Sequence, residues 1–586
     1  MNKSLLAIAV ASLLSPISNL HAQEASADET MVVTANRFEQ SVDSLIVPVE
    51  VISKEEIELI QAKSLTEVLK RLPGIQISSN GGYGQKQSIF VRGAESDHVL
   101  ILIDGVRFGS ATAGGAPISA IPIGGVERIE YLRGARASLY GSDAIAGVIN
   151  IITSNTRSEN VLSATTGSDS YHQGQAFFSG LLTDKLHASL SLSALNNDGF
   201  SAQPTAGNED ADAYRSRDLA MTLRYQATEK SSLSINALIH DGDVEYDPAD
   251  SSNEEKFYNV SAAYDYTNDQ LKSKLTLSSN RENTFYPSFN GTYQTDRVAA
   301  AWDNLFSINE NLKLGGGVDW YRDDVSETST AYDETKRSNT ALYLSGYYSS
   351  EQFAVESSVR ADDNERYGSY TTWQLGAAYS LNETYKLSSN VGTGFKAPTF
   401  NDLYYPGAGD PNLEPEESTN YEVAVDASYE YLDLRVAAYK NDIKNLISGW
   451  PPQNIGKAEI EGVEIVGLFD TGPLSHQVIL DFMDPVDKSD NSQLIRRAKQ
   501  NYKWNMSYSY QQLDAELSYL YQGKRYDSGD VVLDSYSLFD LALTYNVTEA
   551  VKVRGKIANL FDEEYQLANG YNTQERSYFG TVEYRF

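Results

Sequence analysis

From Asn155 to the carboxyl terminus the chain alternates apolar and polar residues with period two. In Leu186-His-Ala-Ser-Leu-Ser-Leu-Ser-Ala194 every even position is apolar and every odd one polar. Successive side chains of a strand point to opposite faces, so such a segment has one greasy and one wet face. The pattern returns at Leu233 to Ile239, Leu271 to Leu277, Leu538 to Tyr545 and Val551 to Ile557, and in the terminal Thr581-Val-Glu-Tyr-Arg-Phe586. Between these stretches lie acidic loops rich in Gly, Asn and Ser, such as Asn196 to Asp218 and Glu245 to Lys256. The mean hydropathy is −0.40, and after the first residues no run approaches the roughly 18 to 20 apolar residues of a membrane helix. A helical membrane protein is excluded. A sheet in lipid must pair every backbone group, so it must close on itself. The 39 Tyr and 41 Gly fit the aromatic girdles and Gly-punctuated strands of such barrels. A secreted two-sheet protein with the same alternation is the competing architecture.

Residues 155–586, at roughly 20 residues per strand with its connections, give about 22 strands. The expected fold is therefore mainly β, an antiparallel transmembrane barrel of that size. Its lumen is wide enough to need filling.

The segment before it reads differently. Lys3 followed by the apolar run Leu5 to Leu14 resembles a secretory leader, residues 1–22, cut after Ala22. Residues 23–46 read as a linker, and residues 47–154 as a small α+β domain that would plug the barrel. Ser53-Lys-Glu-Glu56 and Ser64-Leu-Thr-Glu67 fit the capping box, where a serine oxygen takes an orphan N–H and the glutamate reaches back. The second helix should stop at Pro73-Gly74. Strands are expected at Ser88 to Arg92, Val99 to Ile103, Val126 to Leu132 and Ala144 to Ile152, with a tight turn at Asp104-Gly105. Glu29-Thr30-Met31-Val32-Val33-Thr34-Ala35-Asn36 is a short extended run with no partner of its own, suited to be offered as a strand to another protein.

Charge and chemistry narrow the function. The 47 Lys and Arg face 80 Asp and Glu, and a net charge of −33 argues against nucleic acid, whose affinity rests on neutralised phosphates. It suits divalent cations and polar solutes. With no Cys there is no disulfide or thiolate chemistry. The six His are scattered singly, and neither a Gly-x-Ser-x-Gly elbow nor a His-Glu-x-x-His pair occurs, so no catalytic residues are assigned and an enzyme is not expected.

Several motifs carry a family resemblance. They are the Glu29 to Asn36 run, Asn36-Arg-Phe-Glu39, Leu69-Lys-Arg-Leu-Pro-Gly74, Ile89-Phe-Val-Arg-Gly93, Leu102-Ile-Asp-Gly-Val106, Arg133-Gly134 and Tyr140-Gly-Ser-Asp-Ala-Ile145. The second half adds Gly394-Phe-Lys-Ala-Pro398, Pro411-Asn-Leu-Glu-Pro415 and Ile557-Ala-Asn-Leu-Phe-Asp562. In order and spacing these resemble TonB-dependent outer-membrane receptors. The Glu29 to Asn36 run is then similar to the box through which such receptors engage TonB and its energising inner-membrane complex. Phe469-Asp-Thr-Gly-Pro-Leu474, Leu494-Ile-Arg-Arg-Ala-Lys-Gln500 and Arg554-Gly-Lys-Ile-Ala-Asn-Leu-Phe561 bring the chain nearer the cobalamin (vitamin B12) receptors of that family than the siderophore receptors.

That resemblance implies a monomeric importer in the outer membrane, in contact with its lipid, with cobalamin as transported substrate. It places substrate contacts at Lys86, Ser88, Glu95, Ala113, Gly114 and Arg496; Lys86 and Glu95 depart from the residue types of relatives. The acidic loops offer oxygens at alternate positions, and the resemblance implies calcium there, ordering the outer loops through Asn208, Asp210, Asp212, Tyr246, Asp247 and Asn253. Ser201 stands where relatives carry a carboxylate. A siderophore receptor is the alternative; a haem receptor is disfavoured because Thr399 to Asp410 has no His. Only six residues separate Ala22 from Glu29, so no signalling domain is expected before the box.

Overall fold

The computed structural model describes residues 32–34, 37–38, 40–41, 46, 49–154, 157–203, 210–247 and 251–586. The leader lies outside the described residues. A single closed antiparallel sheet of 22 strands runs from Glu159–Gly167 to Ser577–Arg585. The seam is made by the last strand, which pairs with the first from Val161↔Arg585 to Gly167↔Phe579 and also with Val551–Ala558.

Period two does in three dimensions what it demanded in one. Along the strand Lys336–Ser349, Leu342 and Leu344 are 56% and 59% exposed while Ala341 and Tyr343 are 3% and 1% exposed. Tyr421, Val423 and Val425 stand outward in the same way on Glu416–Tyr429. A continuous apolar belt of this size is untenable in water and natural in hydrocarbon. The long connections lie at the ends of strands opposite the plug's entry into the barrel, which makes them extracellular, and the short turns periplasmic.

The strands outrun the loops expected for them. Ser231–Tyr246 and Ser251–Thr267 occupy most of Glu245 to Lys256, and Tyr214–Thr228 takes the end of Asn196 to Asp218. At about 3.3 Å per residue, 16 or 17 residues exceed a hydrocarbon band about 25 Å tall even when tilted. The ladder therefore continues into water on polar side chains, where composition alone suggests a loop.

Inside the barrel lies a five-stranded sheet in the order Val49–Ser53, Arg128–Arg133, Gly147–Ile152, Val99–Ile103, Val106–Phe108. Only the pairing of Val99–Ile103 with Gly147–Ile152 is parallel. Asp104 and Gly105, at φ 51° and 81°, make the expected two-residue turn, and Thr153 N–H and Oγ1 hold the Asp104 carboxylate at 2.8 and 2.6 Å. A separate hairpin pairs Ile75–Ser79 with Gln87–Val91.

Two helices begin at the expected serines. Ser53 closes a full capping box with Glu56. At Ser64 only half forms: Ser64 Oγ accepts Glu67 N–H at 3.3 Å, but the Glu67 carboxylate accepts from Lys63 N–H instead of Ser64. Lys556 draws that carboxylate towards the barrel wall, which competes with the reach back to the cap. Leu65, Val68, Leu69, Ile101, Ile103, Ile129, Ile149 and Ile151 are buried in one core.

Candidate functional site

The plug presents two working ends. At the outer end the turn Ser96–His98 follows the hairpin, and Ile89 N–H donates to Ser96 Oγ at 3.1 Å. Three neighbouring side chains of this turn fasten to three places on the barrel. Glu95 pairs with Arg497 at 2.6 Å, Asp97 with Lys396 at 2.8 Å, and His98 with Glu416 at 2.7 Å. Burial alone would raise the Asp97 carboxyl, yet the Lys396 ammonium outweighs it and holds the pKa at about 2.

The residues singled out for substrate are placed as follows. Ser88 lies half-buried opposite Ser78, and Lys86 is exposed near the hairpin tip, its carbonyl accepting Asn80 N–H at 3.0 Å. Glu95 is spent on Arg497. Ala113 is exposed; Gly114, at φ 72°, packs so closely that a Cβ there would lie 3.1 Å from Thr399 and 3.2 Å from Asp97. Arg496 neighbours Arg497, and its guanidinium is held by Asp527 at 2.9 Å. Of the six, Glu95 meets Arg497 and Gly114 packs beside Asp97; Ala113 and Arg496 adjoin Gly114 and Arg497 in the chain, and Ser88 and Lys86 lie on the hairpin.

The sequence assigned no site role to Asp97, His98, Lys396, Glu416 or Arg497, although Lys396 and Arg497 lie within motifs that carry the family resemblance. Lys396 and Glu416 end and begin adjacent strands, inside or beside the quoted Gly394 to Pro398 and Pro411 to Pro415 motifs. Charge beside otherwise apolar or proline-rich motif residues was the available signal.

The inner end holds the described part of the Glu29 to Asn36 run and the residues after it. Val32–Val33 pairs antiparallel with Gln40–Ser41; Glu29 to Met31, Ala35 and Asn36 lie outside the described residues. Thr34 N–H donates to Glu130 at 3.0 Å, Tyr140 Oη to Thr34 O at 3.0 Å, and Asn150 to Thr34 Oγ1 at 2.9 Å. Arg37 reaches the wall, forking onto both oxygens of Asp319 at 2.7 Å and onto Asp303 at 3.0 Å. Arg360 shares Asp319. This segment is thus tied to plug and barrel at once.

Between the ends runs a buried ionic core. Arg92 meets Glu422 at 2.5 Å, and Arg92 and Arg133 share Glu464. Removing one member would strand buried charge, at a cost of about 3–5 kcal/mol.

The calcium expectation is corrected. Among the described residues no group of three or more His, Asp or Glu side chains converges as a metal site. The Asp212 carboxylate accepts Ala202 N–H at 2.7 Å and Asp247 accepts Gln203 N–H at 2.6 Å, so both serve to stitch the loop's own backbone. Asp210 is exposed, Tyr246 is half-buried, Asn253 donates to Glu255 at 3.2 Å, and Asn208 lies outside the described residues. A hard cation takes six to eight oxygens, and these are already committed or dispersed.

Comparison with known proteins agrees with this architecture. Residues 150–560 match the model described as "TonB dependent receptor-like, beta-barrel", and residues 41–148 match "TonB-dependent Receptor Plug Domain". The chain is 44% identical over 608 residues to the "Vitamin B12 transporter BtuB" of Photobacterium profundum, and 38% identical to that of Vibrio vulnificus, with each pair covered over 100% of both chains. The solved siderophore receptor PirA from Acinetobacter baumannii superposes with TM-score 0.80 at 20% identity, covering 95% of this chain and 100% of its own. The copper transporter OprC gives 0.80 at 15%, covering 92% and 98%. These two likenesses show the fold alone. The closed lipid-facing barrel, its internal plug and the full-length relatives together place this chain in the TonB-dependent outer-membrane receptor family, a transport family without catalytic chemistry that works with TonB.

Proposed function

We propose that this receptor imports cobalamin into the periplasm. The observation that carries this is 44% identity across the whole chain to a curated vitamin B12 transporter. In this reading residues 47–154 act as plug and 155–586 as barrel, after a leader at 1–22 and a linker at 23–46. Substrate rests at the outer end on Lys86, Ser88, Glu95, Ala113, Gly114 and Arg496. TonB adds a strand to the box Glu29 to Asn36, and force on that strand draws first on Arg37 and Thr34, which bind it to the wall and the plug sheet. Strand addition uses backbone donors, so Val33→Pro removes one and restricts the chain.

Labelled cobalamin and a ferric siderophore compete for purified receptor in the decisive experiment. Saturable cobalamin binding that the siderophore does not displace is expected. Tight siderophore binding without cobalamin binding transfers the assignment to the alternative substrate. For coupling, Val33→Pro is expected to abolish uptake and spare binding; unchanged uptake removes the box from the mechanism.

A further inference from the structure

The connection between Tyr385–Lys396 and Glu416–Tyr429 does not stay outside the barrel mouth. Phe400 and Asn401 N–H donate to the plug carbonyls of Ala111 and Thr112 at 3.1 and 3.0 Å, so a loop of the wall rests on the plug apex beside Ala113 and Gly114. The short helix Phe400–Tyr404 that makes these contacts is capped by Thr399, whose methyl closes over Gly114. One residue past the helix, Tyr405 meets Trp450 edge to face, with ring centres 5.1 Å apart. On its other side Tyr405 lies near Tyr293, whose hydroxyl raises the Tyr405 pKa. Tyr293 stands edge-on to Tyr286 at 5.9 Å, and Tyr286 stacks on Phe289 at 5.2 Å.

Five rings at the extracellular strand ends and their connections therefore line the mouth as an arch of two touching groups, Trp450 with Tyr405 and Tyr293 with Tyr286 and Phe289, which approach each other at Tyr405 and Tyr293. None is charged. Packing does not account for its ends, since Phe289 and Trp450 are each 60% exposed. Both lie beyond the strand ends, in water and not in lipid. Linked exposed aromatics beside a binding surface are a contact surface awaiting an apolar, planar partner.

We propose that this arch is a stacking subsite for the planar heteroaromatic base that hangs below the macrocycle of a complete corrinoid, while the macrocycle rests on the plug apex. The proposal rests on the cobalamin reading above. The base is flat, uncharged and aromatic, matching the arch, whereas the amide-fringed macrocycle matches the polar and charged apex. Tyr405 is the central ring, because the helix before it is bonded to the apex and its own ring packs edge to face on the exposed Trp450.

The test compares cobalamin with cobinamide, which lacks the base, by direct titration of full-length receptor. Trp450→Ala and Tyr405→Leu are expected to weaken cobalamin about tenfold, the size of one lost base–aromatic stack, and to leave cobinamide unchanged. Tyr405→Phe keeps the ring and should keep most of the affinity. Equal weakening of both ligands, or undiminished cobalamin binding by Trp450→Ala and Tyr405→Leu, overturns the subsite. Wild-type receptor that binds neither ligand overturns the cobalamin reading itself, so the two failures are distinct.

Discussion

The two flanks of the plug meet the barrel in different ways. Towards the strands Glu416–Tyr429 through Leu513–Gln522 the fit is close and polar. Gln76 exchanges two hydrogen bonds of 2.8 Å with the Ala498 backbone, Asn501 and Lys503 hold the Ile75 carbonyl at 3.1 and 2.8 Å, and Arg92 and Arg133 lie against Glu422 and Glu464. Towards the strands Tyr214–Thr228 through Leu312–Asp324 a cavity of about 360 Å³ separates plug from wall. Small side chains line that wall, among them Thr222, Ser234, Ser278, Ala299, Ala300 and Ala301. Thr34 and Arg37 border the same cavity. The contrast teaches that the plug is held by buried ion pairs and backbone hydrogen bonds on one flank and borders a cavity on the other, where Arg37 reaches the wall at Asp303 and Asp319.

Several experiments can break or sharpen this contrast. The largest effect is expected from Glu464→Ala, which strips two buried guanidiniums of a counter-charge and should loosen the plug by about 3–5 kcal/mol. Calorimetry of the purified receptor would show it, and a wild-type unfolding profile would refute the fastened flank. Next comes Arg37→Ala, which removes three charged hydrogen bonds but leaves Asp319 to Arg360 and Asp303 to Tyr343. A net loss of about 1.5–3 kcal/mol is expected, since both carboxylates keep a second partner, and it is read as greater mobility of a spin label at Gln40. On the cavity flank, Asn280→Ala deletes a 3.0 Å bond to the Arg107 carbonyl and should cost about 1 kcal/mol. An effect as large as that of Glu464→Ala would abolish the distinction.

The smallest effect concerns acid. Asp97 has a folded pKa of about 2, below its usual 3.8, so its pairing with Lys396 is present above pH 3.8 and lost as pH falls through about 2. The protection of the 95–98 amides, taken relative to their intrinsic exchange rates, should therefore hold steady from about pH 6 down to pH 4 and fall only below it. Asp97→Asn should remove that acid step.

Much of the barrel was legible because period two is a one-dimensional code for a two-faced strand. The alternation at Leu186 to Ala194 and Val551 to Ile557 translates directly into Leu186–Asn197 and Val551–Ala558. The code says inward or outward, and nothing about which inward residue meets which. Arg497 and Glu95, or His98 and Glu416, are hundreds of positions apart and find each other only when the barrel closes around the plug. The acidic loops misled for a related reason. Alternating carboxylates look the same whether they turn towards a cation or, like Asp212 and Asp247, towards the N–H groups of Ala202 and Gln203. Capping at Ser64 was half right because local reach competed with a distant lysine, Lys556.

The seam constrains how such a molecule can be made. Glu159–Gly167 and Ser577–Arg585 are the first and last barrel strands of the chain, and each waits for the other. Until the final nine-residue strand is in place, two sheet edges stand open, at Glu159–Gly167 and at Val551–Ala558. The plug precedes both in the chain, so it is already tethered beside the opening when the circle shuts. Biogenesis is therefore a race between lodging the plug and sealing the wall, and the carboxyl terminus is the point at which a cell could hold that race open.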